Sequence, residues 1–186
     1  MNYNVNRSSE IFGIIFARPT SLNKKFIQDN YYYWNVFSGN NFDVFWPGYG
    51  AYYNAEDVQK MSLIALKVDG LKTDLQFHTE SFIQTEREIK DYNPKFKFDD
   101  TYPLLVLLEY KNGNVDYGSS LFIQLVDNKE QIETSIYKTM KEIIELFSGQ
   151  NSLNNFERAK LYVKNKYNSK NLLTMALSAV ELFTLF

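Results

Sequence analysis

Glu109-Tyr110-Lys111 ends the most apolar run of the chain, residues 103–110, and its spacing is one that can do chemistry. Side chains alternate between the faces of an extended strand, so residues 109 and 111 put a carboxylate and an ammonium on the same face. Such a pair suits a hard-cation site, with carboxylates holding magnesium while the amine orients water or stabilises developing charge. The further acid that this chemistry needs is available upstream at Asp99 or Asp100.

Between Asp99 and Lys111 the local pattern resembles that of the PD-(D/E)xK nuclease superfamily. The resemblance implies a magnesium-dependent phosphodiester-cleaving enzyme with Asp100, Glu109 and Lys111 as its catalytic group and nucleic acid as its partner.

Other enzymatic classes lack their residues. The chain has no cysteine, which removes disulfides, thiolate nucleophiles and thiolate metal sites. Its one histidine, His78, cannot furnish a conventional zinc centre, and its expected place is at the surface or partly buried. Neither a G-x-S-x-G elbow nor a G-x-x-x-x-G-K-[ST] loop occurs. Apart from the magnesium of that resemblance, no cofactor and no metal are implied.

A second candidate is aromatic. Tyr31-Tyr32-Tyr33-Trp34 is followed by Phe42, Phe45, Trp46, Tyr49, Tyr52 and Tyr53, with Pro47-Gly48-Tyr49-Gly50 forming the most distinctive loop of the sequence. Tyr and Trp combine a stacking face with a hydrogen-bonding tip at small entropic cost, which suits a ligand or a protein anchor. Ligands of open α/β sheets bind beyond the carboxyl ends of strands. The expectation is therefore a recognition crevice lined by Arg18, Asp43, Trp46, Tyr49 and Tyr52, for a protein partner or a small molecule. It requires Trp46 and Tyr49 to meet solvent.

The elements that must position these groups follow from apolar periodicity. Residues 11–17 form a continuous apolar run stopped by Arg18-Pro19, as a strand buried on both faces does. Ser21 is the expected cap of a helix with Leu22, Phe26, Tyr33 and Phe37 on its buried stripe. Strands are expected at 42–46, 61–68 and 75–77, then a helix capped by Thr79 or Ser81 that runs to Tyr92. Its weak apolar face predicts a surface position. Strands at 103–110 and 121–126 should pair antiparallel through Asn112-Gly113. Ile132, Ile136, Met140, Ile143, Ile144 and Phe147 mark a helix ended by Gly149, and two more helices follow at 153–167 and 172–186. The last is apolar around most of its circumference, so it packs deeply or meets a second copy of the chain.

This order predicts an α/β fold: a small three-layer domain with a mixed sheet (β-α-β-β-α-β-β-α) and two extra C-terminal helices. The organisation is a sheet domain over 1–149 and a helical hairpin over 150–186 packed on it. The 186 residues, 45% hydrophobic and 23% charged, suit one folded unit. A net charge of -2 gives no general attraction to nucleic acid or anionic membrane. Arg158, Lys160, Lys164, Lys166 and Lys170 against Glu157 and Glu181 leave the region after residue 150 at +3, the charge of an ordinary solvated helix face. No basic leader precedes a long apolar run, and no apolar run reaches the roughly 20 residues of a membrane span. With the absence of cysteine, this predicts a cytoplasmic binding or regulatory module, or alternatively the nuclease.

Overall fold

The computed structural model describes residues 10–21, 23–37, 43–50, 63–98, 100–111, 113–125, 141–143, 145, 156–158 and 160–161. In chain order its elements are β1 (Glu10–Phe16), α1 (Asn23–Phe37), β2 (Asp43–Phe45), β3 (Leu63–Leu66), β4 (Leu75–His78), α2 (Thr79–Tyr92), β5 (Leu104–Lys111) and β6 (Asn114–Gln124). The content is mixed α/β. A four-stranded mixed sheet has the order β2-β1-β5-β6, and β3 pairs with β4 in a second sheet.

β1 and β5 read as continuous apolar runs because they are the two interior strands. Ile14, Ile15 and Phe16 on one and Leu104 through Leu108 on the other are all buried. β2 lies parallel to β1 after the α1 crossover, while β5 is antiparallel to both β1 and β6. The expected tight return is seen in the pairing of Lys111 with Asn114 and in Gly113, which has φ +84°.

Phe16 fixes one face of the sheet. Its ring lies 5.5 Å from Phe82 of α2, 5.4 Å from Phe96 and 5.6 Å from Phe98, and Phe96 in turn meets Phe122 of β6 at 5.5 Å. Contrary to expectation, then, α2 is not confined to the surface. Phe82 and Ile89, seven residues apart and so on one stripe, are both buried. Two well-placed residues dock the helix because Phe96 and Phe98 complete the layer.

Both helix starts differ from the sequence reading. Thr20 caps α1 in place of Ser21, its Oγ1 accepting from Asn23 N at 3.3 Å and its carbonyl from Lys24 N at 2.9 Å. The buried stripe of α1 is Asn23, Phe26, Ile27 and Trp34; of the expected residues Phe26 lies on it, Tyr33 packs partly buried against the core, and the side chains of Leu22 and Phe37 lie outside the described residues. Four aromatics in succession, 31–34, cannot set the phase of a stripe by type alone. His78 caps α2 in place of Thr79 or Ser81: its Nδ1 accepts from Ser81 N at 3.4 Å and lies 2.7 Å from Ser81 Oγ. The lone histidine is thus buried at a helix start.

Beyond residue 125 every described residue is helical, and Ile143 and Phe156 are buried. The expected helix at 172–186 lies outside the described residues. Among those described, no helix is long and apolar enough to cross a membrane.

Candidate functional site

The Pro47-Gly48-Tyr49-Gly50 loop is built as a joint. Tyr49 N donates to Trp46 O at 3.0 Å across Pro47 and Gly48, and Gly48 has φ +79°, the arrangement of a type II turn. The turned segment then lies along β4. His78 N donates to Gly48 O at 2.7 Å, Gly50 N to Gln76 O at 3.3 Å, and Tyr49 bridges antiparallel to Phe77. A Cβ on Gly48 would stand 2.8 Å from both the His78 carbonyl oxygen and the Phe77 ring, so only glycine allows this approach. The loop therefore ties the carboxyl end of β2 to the second sheet.

Its rings are sealed. Trp46 is 6% exposed and Tyr49 8%, which corrects the expectation that both meet solvent. Tyr31 lies 5.3 Å from Trp46 and 6.2 Å from Tyr49, and Trp46 and Tyr49 are 6.1 Å apart. These are separations of rings in mutual contact, with no room for a guest between them. Tyr49 Oη donates to Ala17 O at 2.7 Å, fastening the joint to β1. Burial drives the Tyr49 phenol pKa strongly upward. The sequence signal was sound for an aromatic cluster but carried no depth, since core and contact surface use the same residue types.

The other expected crevice residues are dispersed. Asp43 is exposed at the start of β2, about 10 Å of strand away from Trp46. Tyr52 lies outside the described residues. Arg18, just after β1, is occupied by acids: its Nη2 lies 3.4 Å from Glu86 Oε2, its Nε lies 3.1 Å from Asp100 Oδ1, and its guanidinium sits 4.9 Å over the Phe82 ring. The Nε contact is ionic without hydrogen-bond alignment. Arg18 thus staples α2 and the segment before β5 to the end of β1.

The acid-amine group separates in the same way. Lys111 Nζ pairs with Glu109 Oε2 at 2.6 Å, Glu109 being buried and Lys111 half-exposed. Asp100, however, precedes β5, whereas Glu109 lies five residues beyond its first residue, a rise of roughly 17 Å along the strand. Asp100 carries Arg18 instead, and its carbonyl accepts from the buried Asn23 side chain at 3.2 Å. Asp100, Glu109 and Lys111 are not brought together, and Asp99 lies outside the described residues. Among the described residues no three acids or histidines are grouped to hold a metal.

Sequence reasoning missed the surface feature beside Glu109. Asp116 faces Glu109, but Ser120 faces Leu108, so Tyr117, Gly118 and Ser119 are extra residues in β6. Asp116 Oδ1 pins the bulge, accepting from Gly118 N and Ser119 N, each at 3.1 Å. The bulge presents Tyr117 to Tyr92, the last residue of α2, and the rings stack at 4.7 Å with 11° between their planes. Tyr92 is 67% exposed. The buried Asn93 side chain locks helix end to strand, Nδ2 donating to Ser120 Oγ at 2.9 Å. Burial first, then Glu88 and Tyr92, raises the Tyr117 phenol pKa. A signal for the bulge was present. Counting outward from the Asn-Gly turn without one would face the buried Leu105 and Leu107 with Ser120 and Gly118; three extra residues bring Ile123 and Leu121 opposite them instead.

No protein-family model matches the chain, and neither curated proteins nor solved structures include a match to it.

Proposed function

We propose that this chain is a non-catalytic binding or regulatory module whose contact surface for a protein partner is centred on the Tyr92–Tyr117 stack. The observation that carries this reading is the exposed Tyr92 ring stacked on the partly buried Tyr117 and held by a built support, with the bulge pinned by Asp116 and the helix end tied by Asn93. Tyrosine supplies large contact area at low rotamer cost, and a preordered ring pair lowers that cost further. The Trp46 loop acts behind this surface as scaffold. The helices expected after residue 125 supply the remaining layer of the domain, and the cysteine-free composition supports a cytoplasmic location.

A photo-crosslinking side chain at position 92, with one at Tyr32 as an exposed control, tests the reading in cells that express the chain; Tyr32 is 45% exposed. The expected result is an adduct of one defined mass at position 92, reduced when Tyr117→Ala removes the stacking partner. Equal yields at positions 92 and 32, or no effect of Tyr117→Ala, overturn it.

A further inference from the structure

Resting on that reading, we infer that the stack receives a cationic side chain, specifically an arginine guanidinium of the protein partner. Four features converge on positive charge. One face of Tyr92 is taken by Tyr117, and the exposed remainder of the ring offers the electron-rich face over which cations settle. Glu88, exposed and one turn earlier, shares the helix face of Tyr92 and is close enough to act electrostatically on Tyr117. Tyr92 also ends α2, where the carbonyl end of the helix carries partial negative charge, and Asp116 stands next to Tyr117 in the bulge.

The basic residues of the last turns point elsewhere on the helix. At about 100° per residue, Lys90 lies roughly 160° and Arg87 roughly 140° around the barrel from Tyr92. The amide of Gln84 donates to Glu88 Oε1 at 3.1 Å, a neutral contact that orients the carboxylate without neutralising it. A guanidinium fits this setting better than an ammonium. It is planar, so it can extend the ring stack as a third layer, and its N–H edge can engage Glu88 with two donors. A phosphate or a nucleic-acid backbone meets the same carboxylates and helix end with repulsion.

Titration of the full chain with acetyl-Gly-Arg-Gly-Arg-Gly-amide, following tyrosine ring resonances assigned through Tyr92→Phe and Tyr117→Phe, tests the inference. The controls are the citrulline peptide, which keeps the planar urea but not the charge, the lysine peptide, and a single-stranded oligonucleotide. The expected result is a saturable shift of the Tyr92 and Tyr117 rings with affinity in the order arginine, lysine, citrulline. Arginine should exceed citrulline by about tenfold, and Glu88→Gln should remove about half of that advantage on a logarithmic scale. Equal affinity for the arginine and citrulline peptides, ring shifts caused only by the oligonucleotide, or no ring shift with any peptide overturns the cationic assignment. Any of these results beside a Tyr117-dependent crosslink at position 92 leaves the contact surface intact; loss of that crosslink refutes the surface itself.

Discussion

Gly48→Ala probes whether the aromatic loop is a structural joint. The substituted residue would hold φ near +79°, a left-handed conformation that costs a residue with a Cβ about 1–2 kcal/mol. The new methyl would stand 2.8 Å from the His78 carbonyl oxygen and from the Phe77 ring. Neither can yield cheaply. The carbonyl is main chain at a helix cap, and Phe77 is buried with rings at 4.7 Å (Tyr49) and 5.6 Å (Phe82). Overpacking of this kind costs about 1–3 kcal/mol, and displacing the segment weakens the His78 N to Gly48 O hydrogen bond by up to about 1 kcal/mol more. The total of about 2–6 kcal/mol is a large part of the stability of an ordinary domain, roughly 5–15 kcal/mol. At about 2–4 °C per kcal/mol for a chain of this size, Tm falls by roughly 4–24 °C. Gly113→Ala is the internal reference. Its φ is +84° but no atom lies within 4 Å of its Cβ, so it carries the conformational cost alone. Urea midpoints at constant slope give the difference directly, expected at about 1–4 kcal/mol. Equal losses in the two variants would refute the view that close approach of the loop to β4 is what demands glycine.

Tyr49→Phe should cost about 1–2 kcal/mol near neutral pH, because the buried Ala17 carbonyl loses its phenolic donor. The same variant should flatten the alkaline limb of stability. Burial raises the Tyr49 pKa in the folded state, so the folded chain holds that proton more tightly than the unfolded one. The stabilisation is complete below the unfolded value near 10 and falls by up to about 1.4 kcal/mol per pH unit above it. Urea midpoints at pH 8 and pH 11 check both statements, and an unchanged difference between the two pH values in the variant would contradict the second. Asn93→Ala and Ser120→Ala should each cost about 1–3 kcal/mol by leaving a buried partner unpaired, while the double variant costs less than the two together. Additive losses would show that the link between helix end and β6 contributes nothing as a pair.

Much of the fold was legible because it rests on rules local in sequence. The runs at 11–17 and 103–108 are uniformly apolar because β1 and β5 have neighbours on both edges and cover on both faces. Asn112-Gly113 announced its hairpin for the same local reason. What escaped was set by distant partners. The polar half of β6, Asn114 to Ser120, has no strand-like pattern of its own and is a strand because Glu109, Tyr110 and Lys111 are already there to pair with it. Thr20 rather than Ser21 caps α1, a difference of one residue that composition cannot resolve.

The candidate sites failed to assemble for one reason, which also explains why the stack was overlooked. Arg18, Asp100, Glu109 and Trp46 were singled out as residue types that bind or catalyse, yet such groups near a core are recruited first to satisfy the fold. A charge at the end of a buried strand must find an opposite charge, and Arg18 meets Glu86 and Asp100 just as Glu109 meets Lys111. An indole beside a sheet end is drawn into the interior by its area, as Trp46 is despite an Nε1 left without an acceptor, a cost of roughly 1–3 kcal/mol. Tyr92 shows the opposite economy. Its ring lies two-thirds in solvent although Tyr117 already offers it a stacking surface, and the Asp116-pinned bulge and the Asn93–Ser120 link hold that pair outward at the helix end. Tyr117 packs partly against the core while Tyr92 is left to solvent on a support that keeps it in place, the arrangement that the proposed contact surface would use.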